Sequence, residues 1–343
     1  MIRVGIAGAT GYTGLELMRI LAHHPQVRVV WATSESSTGM AMERYCPAWQ
    51  GRCHLVFEKL EMETMATKVD VVFLGFPQGV SMDYVPVILP HARVIDLGAD
   101  FRIKNRDVYE MTYGIEHRAP SLLPDAVYGI PEIYRDQVKS ARIVANPGCF
   151  PTSIILPLYP LLKEGVIERE VIVDSKSGVT GAGKKATEAT HFCEVDENFK
   201  AYKVGEHRHQ PEIQEQLSLL AGETVGLVFT PHLLPLRRGI LSTIYCTVGG
   251  KITESDLFAL WNRYYHHEPW VRIHSSGSLP ELKWVLGSNF CDMGMKKVDE
   301  KHLVVVSVID NLTKGASGQA VQNMNVMFGI DERIGLPDSV LYP

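Results

Sequence analysis

Near its amino terminus the chain reads Met1-Ile2-Arg3-Val4-Gly5-Ile6-Ala7-Gly8-Ala9-Thr10-Gly11-Tyr12-Thr13-Gly14. An apolar run ends in three glycines spaced G-x-x-G-x-x-G, and a helical pattern follows with Leu17, Ile20 and Leu21 at 3/4 spacing. A strand that turns on glycine straight into a helix lets backbone N–H groups and the positive end of the helix meet a pyrophosphate. The spacing departs from G-x-G-x-x-G, which favours a variant dinucleotide site over the common NAD fingerprint. This stretch predicts the fold class, an α/β domain with a Rossmann-type doubly wound parallel sheet.

Outward from it the alternation continues. Residues 3–7, 27–32, 69–75, 93–97 and 143–145 read as short apolar strands, and 14–23 as the first helix. Strands without polar alternation suit burial on both faces of a parallel sheet. Beyond residue 148 the texture changes. Residues 171–176, 224–231, 240–248 and 304–310 read as longer strands of mixed polarity, and 211–220, 255–261 and 318–328 as helices. Long strands with few helices between them predict a second, α+β domain with a mixed or antiparallel sheet. The expected division is residues 1–148 for dinucleotide binding, completed by 312–343, and 149–311 for catalysis and dimerisation.

The 343 residues carry a net charge of −5, and 45% of them are hydrophobic. That composition predicts a globular chain with no pull toward nucleic acid or anionic membrane. No apolar run approaches the ~20 residues of a membrane span, and the opening lacks the pattern of a signal peptide. Cysteines 46, 53, 149, 193, 246 and 291 form no C-x-x-C pair. A structural zinc site and a disulfide scaffold are therefore not expected, and a reducing, cytoplasmic setting is.

The second strand ends Thr33-Ser34-Glu35-Ser36-Ser37. Hydroxyls rather than a lone acid at that point favour a 2′-phosphate, hence NADP; Glu35 is expected to point to solvent. Turns at Gly75-Phe76-Pro77-Gln78-Gly79 and Gly98-Ala99-Asp100-Phe101-Arg102 follow two more strands, at the sheet edge where ligands sit. The chemistry is concentrated in Asn146-Pro147-Gly148-Cys149-Phe150-Pro151-Thr152. Cys149 is placed just before a helix with Pro151 in its first turn, and a thiol at a helix N-terminus is acidified toward the nucleophilic thiolate. In His207-Arg208-His209-Gln210-Pro211-Glu212, His209 is expected just before a helix and Glu212 within its first turn, a carboxylate close enough to orient an imidazole base. Two histidines without a third ligand cluster do not predict a metal. Arg102, Arg208, Arg237 and Arg238 are candidates for holding phosphate or carboxylate. The glycine-rich stretch 177–183 and the segment 310–325, with its amide-bearing helix, could approach a polar ligand.

In that order and spacing, residues 8–14, 146–152, 207–213 and 310–325 resemble the N-acetyl-γ-glutamyl-phosphate reductase family of arginine biosynthesis, over nearly the whole chain. The resemblance implies an NADPH-dependent acyl-phosphate reductase with a fold shared with aspartate-semialdehyde dehydrogenases. It implies Cys149 as nucleophile forming a thioester, and a histidine acid/base that falls on His209, with His207 close enough to leave the choice open. The expected site comprises Cys149, His209 and Glu212 for catalysis. The cofactor set is Gly8, Thr10, Gly11, Tyr12, Thr13, Gly14, Ser34, Ser36, Gly75, Pro77, Gly178, Gly181, Asn311 and Gln319. The substrate set is Arg102, Asn146, His207, Arg208, Arg237 and Arg238. The expected partners are the small acyl phosphate and further copies of the chain, as a homodimer or homotetramer.

Overall fold

A computed structural model describes residues 1–341; positions 342 and 343, at the end of the expected C-terminal segment, lie outside the described residues. The chain forms two compact units, Met1–Pro147 with Ala316–Leu336, and Gly148–Gly315 with the chain from Pro337 onward.

The first unit is built on strands β1 (Ile2–Ala7), β2 (Val27–Ala32), β3 (Val71–Leu74), β4 (Arg93–Asp96), β5 (Ala126–Tyr128) and β6 (Ile143–Ala145). They form one sheet in the order β2-β1-β3-β4-β6-β5, and every pairing is parallel. Val71, Val72, Phe73 and Leu74 are all fully buried, as are Val94 and Ile95. Consecutive buried side chains mean that both faces of the sheet are covered, which is why these strands show no polar alternation. Strand order reverses beside β1, so the ends of β1, β3 and β4 face the crevice where such sheets take ligands.

The helix Gly318–Met327 belongs to this unit, and all ten of its residues are buried. A solvated polar side would be the ordinary reading of Gln322, Asn323 and Asn325. Instead each amide is tied down inside: Asn325 Oδ1 to His24 Nε2 at 3.0 Å, Asn323 Nδ2 to the Gly129 carbonyl at 2.9 Å, and Gln322 Nε2 to Glu132 and Glu332. Arg93 also donates to the Met327 carbonyl.

The second unit carries β7 (Ile167–Gly178), β8 (Lys200–Ala201), β9 (Gly226–Leu234), β10 (Ile240–Val248), β11 (Val271–Ile273), β12 (Cys291–Lys297) and β13 (His302–Ile309). Their order is β11-β12-β13-β10-β7-β9-β8. β10 runs antiparallel to both β7 and β13, whereas β7 and β9 are parallel, so the sheet is mixed. One face packs on the helix Cys149–Lys163, where Ser153 Oγ meets Ser242 Oγ at 2.8 Å and Ser242 meets Ser175 at 2.7 Å. That helix contains Pro157 and Pro160. Pro160 cannot donate to the Leu156 carbonyl, and the Tyr265 hydroxyl donates to it instead, at 2.5 Å. Among the described residues no helix is long and apolar enough to cross a membrane.

Candidate active site

The first unit presents a glycine turn between β1 and the helix Tyr12–Leu21. Gly8 has φ +82°, a conformation that L side chains rarely adopt, and a Cβ there would lie 2.7 Å from the Gly75 carbonyl oxygen. A Cβ on Gly14 would lie 2.6 Å from both Ala9 Cα and the Gly8 oxygen. The glycines are thus required by a tight turn packed against the end of β3. Gly11 caps the helix without any side-chain acceptor, and no acid stands in its first turn. The helix end keeps its N–H groups and its positive potential for an anion. Thr10 Oγ1 and Ser34 Oγ lie 2.9 Å apart, joining the ends of β1 and β2 with hydroxyls, and the Tyr45 hydroxyl donates to the Thr10 carbonyl. Ser34 is buried, while Glu35 and Ser36 are exposed, so no buried acid opposes a phosphate there. These residues fit a phosphorylated dinucleotide.

Gly75 belongs to this cradle, since its N–H donates to the Ala7 carbonyl at 2.9 Å; Pro77 is exposed in the same loop. The two turns after β3 and β4 are stitched together by Asp100, whose Oδ1 accepts the Gly79 N–H at 2.7 Å and the Tyr109 hydroxyl at 2.8 Å. Burial, with Asp100 close by, pushes the neighbouring Asp96 carboxyl up to about 7. Arg102 is buried beside them and donates to the Leu97 carbonyl at 2.7 Å. Asn146 Nδ2 donates to the Ala316 carbonyl, and its Oδ1 accepts from Asn323. Its amide is engaged with the C-terminal helix, which makes it a fastener of the segment leading to Cys149. Gln319 lies one turn before Asn323, fully buried, and neither of its amide atoms has a hydrogen-bond partner. A buried amide left unpaired costs roughly 1–3 kcal/mol. A polar ligand group would remove that cost.

The second unit holds the reactive cluster. The helix begins at Cys149 itself, with Gly148 as its cap and no capping side chain. Cys149 is half-buried, and its Cβ lies 2.9 Å from where a Cβ on Gly315 would be. The second helix starts at His209, two residues earlier than Pro211 implied, so His209 and Glu212 lie one turn apart on one face. Glu212 is fully buried, and its Oε1 accepts the Gly148 backbone N–H at 2.9 Å. That contact clamps the start of the cysteine helix to the histidine helix.

Phe150 sets its ring edge-on to His207, His209 and Phe229 at 5.4, 5.9 and 5.3 Å. Tyr202 closes the other side of His207 at 5.6 Å. Burial, and after it the charge of Cys149, raises the Tyr202 phenol well above its ordinary range. His207 Nδ1 accepts the His209 backbone N–H at 3.1 Å. Burial in this aromatic box, reinforced by Arg208 and Lys203, lowers the His207 imidazole to about 4. It is therefore neutral at pH 7, with one nitrogen already occupied as an acceptor.

Arg208 and Arg237 are exposed. Arg238 is held by the fully buried Asp310, at 3.0 Å from Nε and 3.0 Å from Nη2. Asn311 Oδ1 accepts the Gly239 N–H at 2.7 Å and its Nδ2 donates to Thr180, while Gly178 bonds the Gly239 carbonyl. Gly178, Gly181 and Asn311 thus share one corner of the second unit. Sequence reasoning missed Tyr202 and Phe229 as walls of the site, and Gly315 as the backbone against the nucleophile. Only Gly315 left a signal, inside the glycine-bearing stretch after Asp310.

Residues 3–141 match the semialdehyde dehydrogenase NAD-binding domain, and residues 149–311 the semialdehyde dehydrogenase dimerisation domain. The chain is 50% identical to the N-acetyl-gamma-glutamyl-phosphate reductase of Geobacter sp. (strain M21) and 51% to that of Citrifermentans bemidjiense, with 100% of each chain covered. It is 50% identical to the corresponding protein of Symbiobacterium thermophilum, with 98% of this chain and 97% of the relative covered. Among solved structures it is similar to aspartate semialdehyde dehydrogenase II of Vibrio cholerae complexed with ASA (TM-score 0.74, 16% identity, 96% and 98% covered). It is also similar to aspartate semialdehyde dehydrogenase with NADP from Candida albicans (TM-score 0.72, 14% identity, 96% and 98% covered). At these identities the structural likeness speaks to fold alone.

Proposed function

Because the chain belongs to the N-acetyl-γ-glutamyl-phosphate reductase family, we propose that Cys149 and His209 carry out the covalent steps of that family's reaction. The reaction is the NADPH-dependent reduction of N-acetyl-L-glutamyl 5-phosphate to N-acetyl-L-glutamate 5-semialdehyde and phosphate, in arginine biosynthesis. The observation that carries the residue assignment is the cluster around Phe150, which packs the start of the cysteine helix against both histidines.

In this reading the Cys149 thiolate attacks the acyl carbon. A C–S bond forms, the C–O bond to phosphate breaks, and phosphate leaves with the electron pair. When bound, NADPH supplies the hydride that turns the thioester into a thiohemiacetal. His209 gives a proton to the oxygen of that adduct and takes it back as the C–S bond breaks, releasing the aldehyde and regenerating the thiolate. The N–H groups of the first turn of the cysteine helix would stabilise the oxyanion. The neutral His207, its Nδ1 spent on the His209 backbone, suits a supporting role and leaves the proton to His209. The exposed Arg208, next to both histidines, is the guanidinium we assign to the substrate's phosphate. The glycine turn, Thr10, Ser34 and Gly75 would hold the dinucleotide, and the unpaired Gln319 amide suits its carboxamide.

Run backwards with NADP and phosphate, the chain is expected to oxidise N-acetylglutamate semialdehyde at least about 100-fold faster than aspartate semialdehyde, judged by kcat/KM. Equal turnover of both would move the reading to the aspartate enzymes that share the fold. We place the reaction in the cytoplasm, because a reducing compartment keeps thiols from pairing and no disulfide joins the six cysteines.

We propose a homodimer as the working assembly. Tyr245, Ile172 and Val228 sit opposite one another on β10, β7 and β9, on the face turned away from Ser242 and the cysteine helix. Each is about half exposed, and a row of exposed apolar side chains in register marks an interaction face. Ile172→Glu is expected to shift the sedimenting species from dimer to monomer; an unchanged dimer would place the interface elsewhere.

A further inference from the structure

The face of the second sheet opposite the cysteine helix carries a feature the reaction does not use. Ser242 points to the cysteine helix, so its neighbour Leu241 points away. Leu241 pairs with Val308, Val308 with Asp292, and Asp292 with Arg272, which places all four on the outward face. A strap of chain covers this part of the sheet. A Cβ on Gly294 would lie 2.9 Å from Pro280, and one on Gly239 2.6 Å from Leu282. Between strap and sheet edge lies an open cleft of about 640 Å³ lined by Arg272, Ile273, His274, Trp284, Asp292 and Val340. That volume is in the usual range of small-molecule sites.

Its polar end is organised by one buried carboxylate. Asp292 accepts Arg272 Nε at 2.6 Å and Nη2 at 2.9 Å, and its Oδ2 lies 2.9 Å from His274 Nε2. The second Nη2 hydrogen goes to the Trp284 carbonyl at 2.8 Å. Phe290 lies under the guanidinium at 4.0 Å, and Trp284 stacks on the His274 ring at 5.2 Å. Among the described residues, Arg272 Nη1 and His274 Nδ1 have no hydrogen-bond partner and face a ligand's acceptor. Both side chains are already fixed, so a ligand would not pay to order them.

The charges define the ligand. Arg272 and Asp292 cancel, so the site is unsuited to a polyanion and suited to one carboxylate presented to the free edge of the guanidinium. Trp284, Ile273 and Val340 offer apolar surface to the rest of the molecule. An adjoining cavity of about 360 Å³ shares Ile273 and His274. Its one acid, Glu254, is taken by Ser276, Lys296 and the Lys297 N–H, so recognition falls to the Arg272 end. We propose that this cavity is a second binding site, for a small organic monocarboxylate with an aromatic or branched apolar body.

The test uses the full chain with 4-bromobenzoate, read by bromine anomalous scattering in crystals and by calorimetry in solution. The expected result is bromine inside the cavity with the carboxylate on Arg272 Nη1, and no measurable binding of neutral 4-bromobenzyl alcohol. The double variant Arg272→Met with Asp292→Asn removes both charges together, so no lone charge is left buried. It should bind the probe about 10- to 100-fold more weakly, with turnover of the acyl phosphate within twofold of the parent. Bromine found only elsewhere, equal binding of the alcohol, or unchanged affinity in a folded double variant would overturn the proposal. If the double variant does not fold, the bromine position decides.

Discussion

Cys149→Ala should bind NADPH within about twofold of the parent chain while losing at least ~10⁴-fold in turnover, the scale on which removing a covalent nucleophile acts. The two halves of that result rest on different residues. The dinucleotide cradle is made by the Gly8 turn, Thr10, Ser34 and Gly75, and alanine at 149 changes none of them. The covalent step needs a thiolate, and burial pushes the Cys246 thiol up to about 12, so that residue does not offer one near pH 7. Stopped-flow reduction and fluorescence titration of NADPH read the two quantities separately, and mass spectrometry of the parent chain with acyl phosphate but no NADPH should find the acyl group on Cys149. Residual turnover above about 1%, or acylation at another cysteine, would take the nucleophile's role from this residue.

His209→Ala should cost about 10²–10⁴-fold in kcat, the usual worth of a positioned acid/base, and should flatten the pH dependence of kcat. His207→Ala should behave differently. Its imidazole holds the His209 N–H and fills a box of aromatic rings, so the loss should fall on stability more than on the pH profile. The parent chain gives an independent check. His207 is lowered to about 4, against about 6.5 in an unfolded chain. The unfolded state therefore takes up the proton first. The stability linked to this residue is complete above about pH 6.5 and is lost as pH falls toward 4, by roughly 3 kcal/mol in all. His207→Ala should remove that share of the acid sensitivity in denaturant melts. If instead His207→Ala flattens the rate profile and His209→Ala does not, the two roles are exchanged.

These residues also show how far the amino-acid sequence could be read. β2, β6 and β10 run between the expected ends, because each is a β-branched run bounded by residues that break strands. β12, Cys-Asp-Met-Gly-Met-Lys-Lys, went unseen since nothing in it favours a strand; its pairing with β13 makes it one. β5 and β11, three residues each, are too short to show a period. The cysteine turn was legible because proline and glycine punctuate it. The contact between Gly148 and Glu212 was not, as the two lie 64 positions apart. Likewise Tyr202, Phe150 and Phe229 come from separate segments, and only the fold makes them one wall. Among the amides of the last helix, sequence could show that they were polar, but whether they met solvent, protein or ligand depended on packing.

That last helix also sets an order of events during synthesis. Asn325, Asn323 and Met327 supply partners for His24, Gly129, Asn146 and Arg93, yet they leave the ribosome long after the first 147 residues have emerged. At about 5–20 residues per second the wait is roughly 10–40 s. Throughout it the nascent nucleotide-binding unit must persist with an open flank where helix 318–327 will dock.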